Sequence, residues 1–238
     1  MTIDLSTLRD IPLFASLKTE SSTTSAGEGA PTGTFTLAGT QEVTHPRGTV
    51  ILRANEPSHS VCIVREGGVK ETQSTPEGKE VILALHGPGD LFGEVLFDGD
   101  EVAPTTVTTL LPSRILMIPR HEWNNLLERN PGLERTLNTL MNRRLSEAWQ
   151  LVRMLSRYTT ESRLKSALVF LVDRWGRSTP NGTEIALELT HRTLADLTGA
   201  SREKVTRALG ILQQKNLIQV IRRRILIPSV DRLLQEPT

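Results

Sequence analysis

Between Leu137 and Leu155, apolar side chains recur at Leu137, Met141, Leu145, Ala148, Val152 and Leu155, at gaps of 4, 4, 3, 4 and 3. A repeat close to 3.5 residues draws a narrow stripe along one face of an α-helix, the seam of a helix paired with another long helix. The run "ERNPG" just before it supplies a start, with Asn130 as N-cap and Pro131 in the first helical position. No other segment of the sequence offers a helix of matching length and seam. The expected partner is therefore a second copy, giving a homodimer; the competing reading is a helix that lies on its own domain.

The stripe separates two halves of different character. Residues 1–127 carry nine Lys/Arg against sixteen Asp/Glu, and residues 128–238 carry nineteen against eleven. The balance swings from −7 to +8, which makes the second half a candidate for nucleic acid. The first half reads as β structure. "TVILRANEP", "SVCIVREGGV", "KEVILALHGPGD" and "TTVTTLLPSRILMIP" are rich in Val, Ile, Leu and Thr and are punctuated by Gly and Pro. Such short, evenly spaced segments favour a sandwich or barrel. "REGGVKETQSTPEGKEVIL" predicts two strands joined by a turn at "PEG". Residues 20–34, "ESSTTSAGEGAPTGT", are small and polar and are expected as a flexible loop.

Several function classes drop out early. Hydrophobic residues make up 37% and charged residues 23% of the 238, as in a soluble globular protein. No apolar run approaches the roughly 18 residues of a membrane span. The opening "MTIDLSTLRD" lacks a basic region followed by an apolar stretch, so no signal peptide is expected and the expected location is cytoplasmic. Cys62 is the only cysteine, which excludes a disulfide framework and, within one chain, a cysteine-ligated iron–sulfur cluster. His45, His59, His86 and Cys62 are scattered and read as surface or turn residues rather than haem or metal ligands. No metal site and no cofactor is expected. No nucleophile–base pair, zinc pattern or phosphate-cradling glycine loop points to an enzyme.

The basic half contains a pair of short helical patterns. Thr160 is expected to cap a preceding helix with Leu164, Ala167, Leu168, Leu171 and Trp175 on its apolar face, ended by Gly176. "RSTPNGTE" reads as a turn and "IALELT" as a short strand. Next, "HRTLADLTG" has Thr190 as N-cap, Leu194 and Leu197 inward, and Gly199 suited to the following turn. "SREKVTRALGILQQK" has Ser201 as N-cap and Val205, Leu209 and Leu212 inward. Two short helices joined by a glycine-containing turn describe a helix-turn-helix, whose second helix presents its first residues to base edges in the major groove. Those residues are Arg202, Glu203, Thr206 and Arg207. Arginine can donate twice to guanine and glutamate can accept from cytosine, so a G·C-containing half-site is predicted. The bland reading of Glu203 and Arg207 is a surface ion pair worth about 0.2–0.5 kcal/mol. Thr190, Ser201, Arg192 and Lys204 are candidates for the phosphates, and a closing hairpin, "LIQVIRRRILIP", could bring Arg222, Arg223 and Arg224 to flanking backbone.

"LTHRTLADLTGASREKVTRALGILQQKNLI", and "SRExVxR" within it, resembles the DNA-binding unit of the CRP/FNR family of bacterial transcription regulators. "GPGDLFGEVLFDG" resembles the signature of that family's cyclic-nucleotide-binding-like β-roll. The resemblance covers roughly residues 40–238. It implies an α+β chain: a jelly-roll-like double-stranded β-helix sensor over 1–127, a dimerisation helix over 128–158 and a winged helix-turn-helix over 159–238. It also implies double-stranded DNA and RNA polymerase as partners, and a TGTGA-like half-site, read twice in a palindrome by residues matching Arg202, Glu203 and Arg207.

In the family's cyclic-nucleotide binders the residues matching Gly93 and Glu94 serve the ribose. Their phosphate-binding Arg-Ser aligns with Ala103 and Pro104 here, and a Thr-Ser of the long helix aligns with Ala148 and Trp149. From Glu80 to Ser113 there is no Lys or Arg at all. Thr105 and Thr106 offer hydroxyls but no charge, and a buried phosphate without a cation is costly. Trp149 is expected to occupy the purine's place, so control by cAMP is not expected and the small-molecule effector is open. The readings that compete with a DNA-binding regulator are a ligand-binding regulatory subunit acting on a partner protein, and a cAMP-responsive regulator with an altered pocket.

Overall fold

The computed structural model describes residues 2–4, 8–15, 36–93 and 102–236. The segment 20–34 and Glu94 lie outside them. The described residues pack as two compact units. One combines residues up to Val69 with His86–Arg144, and the other combines Lys70–Leu85 with residues from Leu145 onward.

The first unit is an antiparallel β-roll. β1 (Thr2–Asp4) pairs with β2 (Thr36–Ala38); β3 (Gln41–His45), β4 (Val50–Leu52) and β5 (Ser60–Glu66) follow. The hairpin of β6 (Val69–Ser74) and β7 (Glu80–His86) falls almost wholly in the other unit, and β8 (Leu91–Gly93), β9 (Thr106–Thr109) and β10 (Ser113–Pro119) complete the roll. One sheet has the order β3-β10-β5-β8, and β4 pairs with β9. The run Val61-Cys62-Ile63-Val64 in β5 shows why its sequence is apolar without alternation. Val61 and Ile63 enter a core with Leu91, Leu116 and Ile118, while Cys62 and Val64 enter another with Phe92, Val107 and Ile115. Successive side chains point to opposite faces, so a central strand covered on both sides needs apolar residues at every position. The long segment "TTVTTLLPSRILMIP" is two strands, β9 and β10, because Leu110–Pro112 leave the ladder.

Two of the scattered candidates are not on the surface. Cys62 is fully buried, and His86 is buried with its ring stacked 5.8 Å from that of Phe92. In the β6–β7 hairpin the turn at "PEG" forms, with Gly78 at φ +74° and its N–H donating to the Thr75 carbonyl at 2.8 Å.

Helix α1 (Arg120–Arg129) lays Trp123 and Leu126 on the roll's core. α2 (Pro131–Leu155) begins at Pro131 and runs 25 residues. Leu133 is fully buried, and Leu137, the first residue of the expected seam, packs against the same core. Further along, Leu151 and Met154 form the buried face. Leu145, Trp149 and Val152 lie on another side of the helix and are 50%, 61% and 64% exposed. Two residues from Leu151, Trp149 faces away from that buried side of the helix.

In the second unit, α3 (Thr160–Trp175) is capped by Thr159, whose hydroxyl accepts the Ser162 N–H at 3.0 Å; Thr160 is already helical. β11 (Gly176–Thr179) and β12 (Gly182–Ile185) form a hairpin through "TPNG", where a turn alone was expected, and "ALELT" is not a strand. Gly182, at φ +127°, is required there: a Cβ would meet the Ile227 carbonyl oxygen at 2.3 Å. α4 (His191–Thr198) and α5 (Arg202–Gln214) follow, then β13 (Gln219–Ile221), β14 (Arg224–Ile227) and a short α6 (Val230–Gln235) that the sequence reading did not include. The sheet order is β11-β12-β14-β13.

Candidate nucleic-acid interface

Helices α4 and α5 are set by their ends. The Thr190 hydroxyl accepts the Thr193 N–H at 3.0 Å, and the Ser201 hydroxyl accepts the Lys204 N–H at 3.3 Å. Between them Gly199 adopts the left-handed conformation, φ +65°, which ends α4 and turns the chain. Leu194 and Leu197 of α4 and Val205, Leu209 and Leu212 of α5 are buried. The packing of that face fixes what the other shows: Arg202, Glu203, Lys204, Thr206 and Arg207 are all exposed.

Glu203 and Arg207 are not simply a surface pair. The Glu203 carboxyl is held below its ordinary range by its own backbone N–H and then by the Ser201 hydroxyl, and the cation acting on it is Arg202. Its carboxylate is drawn toward the start of α5, not along the helix to Arg207. Thr206 also has a local role. Its hydroxyl donates to the Arg202 carbonyl at 2.9 Å and lies 2.7 Å from His191 Nδ1. Arg192 is anchored by Asp196 at 2.9 Å, one turn along α4. Burial raises the Asp196 carboxyl above the usual carboxylate range, while Arg192 and Lys70 act against that shift.

The β13–β14 hairpin closes through Arg222 and Arg223, with Ile221 paired to Arg224. Both turn residues have positive φ, +47° and +69°. That is the backbone of a two-residue turn usually made with Asn-Gly, and an L side chain there costs roughly 1–2 kcal/mol per residue. The turn is held in place. The Arg223 carbonyl accepts the Leu189 N–H at 2.9 Å, and Arg224 pairs with Glu184 at 3.0 Å. The tip of this wing thus presents two arginines where geometry alone would favour small residues. A cavity of about 470 Å³ lies between α4, α5 and the wing, lined by Thr190, His191, Arg192, Arg202 and Arg223 among others. His191, and Asp196 that pairs with Arg192, were not picked out from the sequence. The signal for Asp196 was an acid four residues after Arg192, one turn along the helix.

Of the residues expected at an effector pocket, Gly93, Thr105, Thr106 and Trp149 lie among the described residues. Gly93 has φ +100°, and a Cβ would come within 3.0 Å of the Ser60 carbonyl oxygen, so the backbone itself requires glycine. Thr106 Oγ1 accepts the Ala54 N–H at 3.1 Å. Thr105 and Thr106 are half-buried, and Ala103 is buried among Leu52, Phe92 and Val107.

Residues 42–130 match the cyclic nucleotide-binding domain, and residues 162–236 match the Crp-like helix-turn-helix domain. The chain belongs to the CRP/FNR family of transcription regulators. Among its CRP/FNR relatives, the CRP-like cAMP-activated global transcriptional regulator of Mycobacterium tuberculosis is 28% identical over 193 residues, 81% of this chain and 86% of the relative. The transcriptional activator protein anr of Pseudomonas aeruginosa is 29% identical over 172 residues, 72% of this chain and 70% of the relative. The structure of FixK2 from Bradyrhizobium japonicum shares the fold with a TM-score of 0.71 at 22% identity, covering 82% of this chain and 96% of that one. In this CRP/FNR regulator, α4 and α5 form the helix-turn-helix of the DNA-binding domain.

Proposed function

We propose that the protein is a homodimeric regulator that reads a palindromic operator through α5 of each copy. The observation that carries this is the exposure of Arg202, Glu203 and Arg207 on a helix whose Val205, Leu209 and Leu212 are buried. A guanidinium donates twice to guanine O6 and N7, and a carboxylate accepts from cytosine N4, so a TGTGA-like half-site suits the three. Thr206, with its hydroxyl engaged, offers its methyl group to a thymine methyl. Thr190, Ser201, Arg192 and Lys204 serve the phosphates. In this reading residues 1–127 are the sensor, 128–158 the dimer helix and 159–238 the reading head, which also works beside RNA polymerase. Selection from random-sequence duplexes is expected to return an inverted repeat with half-sites about 10–10.5 bp apart, or a multiple of that. Affinity for it should fall steeply with salt. Recovery of no preferred sequence would overturn the reading.

Cyclic nucleotides do not govern it in this reading, although the Mycobacterium tuberculosis relative is named as cAMP-activated. The stretch from Glu80 to Ser113 offers no cation for a phosphate, and Ala103 is packed into the core. Calorimetric titration with cAMP and with cGMP is expected to give no micromolar binding signal. A micromolar signal coupled to tighter operator binding would reverse this conclusion.

A further inference from the structure

His191 opens α4, half-buried, with Nδ1 2.7 Å from Thr206 Oγ1. The same hydroxyl lies 2.9 Å from the Arg202 carbonyl oxygen. A threonine hydroxyl has one proton to give. Both contacts are satisfied together only if that proton goes to the Arg202 carbonyl and the hydroxyl accepts a proton from Nδ1. Nδ1 is thereby fixed as the protonated nitrogen of the neutral ring, and Nε2 becomes the nitrogen that titrates. This is a link between the first residue of one helix and the base-reading turn of the next.

The surroundings of the ring are cationic. Arg192 comes from α4, Arg202 from α5 and Arg223 from the wing, and all three line the same cavity as His191. The acids nearby are each engaged: Asp196 with Arg192, Glu203 at the start of α5, and Glu184 with Arg224. An anion seated among these groups is attracted by the three arginines and by an imidazolium alike.

We propose that this cavity is a proton-linked phosphate site, in which His191 takes up a proton as DNA binds and donates from Nε2 to a backbone phosphate while Nδ1 holds Thr206. The inference rests on the DNA-reading role assigned above and adds a pH dependence to it. The sign follows from linkage. A proton taken up on binding makes affinity rise as pH falls and decline as pH rises. A charge-assisted hydrogen bond of this kind corresponds to about tenfold in affinity.

The test uses the full-length protein and a duplex that the wild type selects from a random-sequence pool. Binding is measured at fixed salt from pH 6.0 to pH 8.5 for the wild type, His191→Asn, His191→Arg and Thr206→Val. Calorimetry in buffers of different ionisation enthalpy counts the protons taken up. The wild type is expected to lose about tenfold in affinity across this range and to take up a fraction of a proton on binding. His191→Asn, which can still donate to Thr206 but cannot titrate there, should bind at all pH values as the wild type does at the alkaline end, without the uptake. His191→Arg should bind tightly with no such slope. Thr206→Val should keep the proton uptake but change the tautomer balance seen in the ¹⁵N shifts of His191. Equal pH slopes and equal uptake in the wild type and His191→Asn overturn this proposal and leave the DNA-reading role standing. Failure of the wild type to select any duplex overturns both.

Discussion

In Arg207→Ala, substitution of one particular G·C pair in each half-site should cease to matter. In the wild type the same base change is expected to cost about 1–3 kcal/mol, or roughly five- to 150-fold in affinity. The argument is local. Arg207 is exposed and stands one turn beyond Glu203, whose carboxylate answers to Arg202 and the start of α5. Removing an exposed side chain of this kind changes stability by no more than about 0.5 kcal/mol, so lost discrimination cannot be ascribed to lost fold. Arg202→Ala should show the same behaviour at a different pair. Lys204→Ala supplies the contrast. If it faces a phosphate, its loss weakens all duplexes alike and lowers the salt slope by about one. Binding to a panel of singly substituted duplexes separates the two outcomes. A uniform loss in Arg207→Ala would move that residue from the base edges to the backbone.

The parts of this interface that were legible in the sequence are those decided within one turn of chain. Thr190, Ser201 and Gly199 act on N–H groups or dihedrals three residues away or less, so their identity and spacing were sufficient. Thr159 and Thr160 could not be separated that way. Both are threonines, and the choice fell to the one left with extended backbone. The hairpin of β11 and β12 was missed because "TPNG" was read as a loop between elements, when its flanking residues pair with each other. The contacts that carry the further inference were out of reach for a different reason. His191 and Thr206 are fifteen residues apart, and only the packing of α4 on α5 brings them together. The same holds for His86, which reads as a turn residue until its ring is found stacked on Phe92. Trp149 is placed by helix phase: Leu151 and Met154 set the buried side of α2, and Trp149 turns out from it.

That outward turn gives the second large expected effect. Leu145, Trp149 and Val152 form an exposed apolar stripe along α2, with Ala148 between them, while Leu151 and Met154 already bury the other face. Fully burying a side chain of this size is worth about 1.5–3 kcal/mol. A second α2 laid along the stripe would cover three large apolar side chains from each copy, in the repeat of a left-handed coiled coil. Leu145→Glu combined with Val152→Glu should therefore yield a folded monomer. Both side chains face solvent in the single chain, so its melting transition should persist; in a dimer they would place carboxylates in a dry seam, where an unpaired charge is not tolerated. The consequence for DNA is larger than for stability. Two linked reading heads gain about 10²–10⁴ in avidity over one, and the monomer forfeits it. Sedimentation should show half the wild-type mass, and operator affinity should fall by that factor while the preference among half-sites survives. A double variant that remains dimeric would exclude this stripe as the seam.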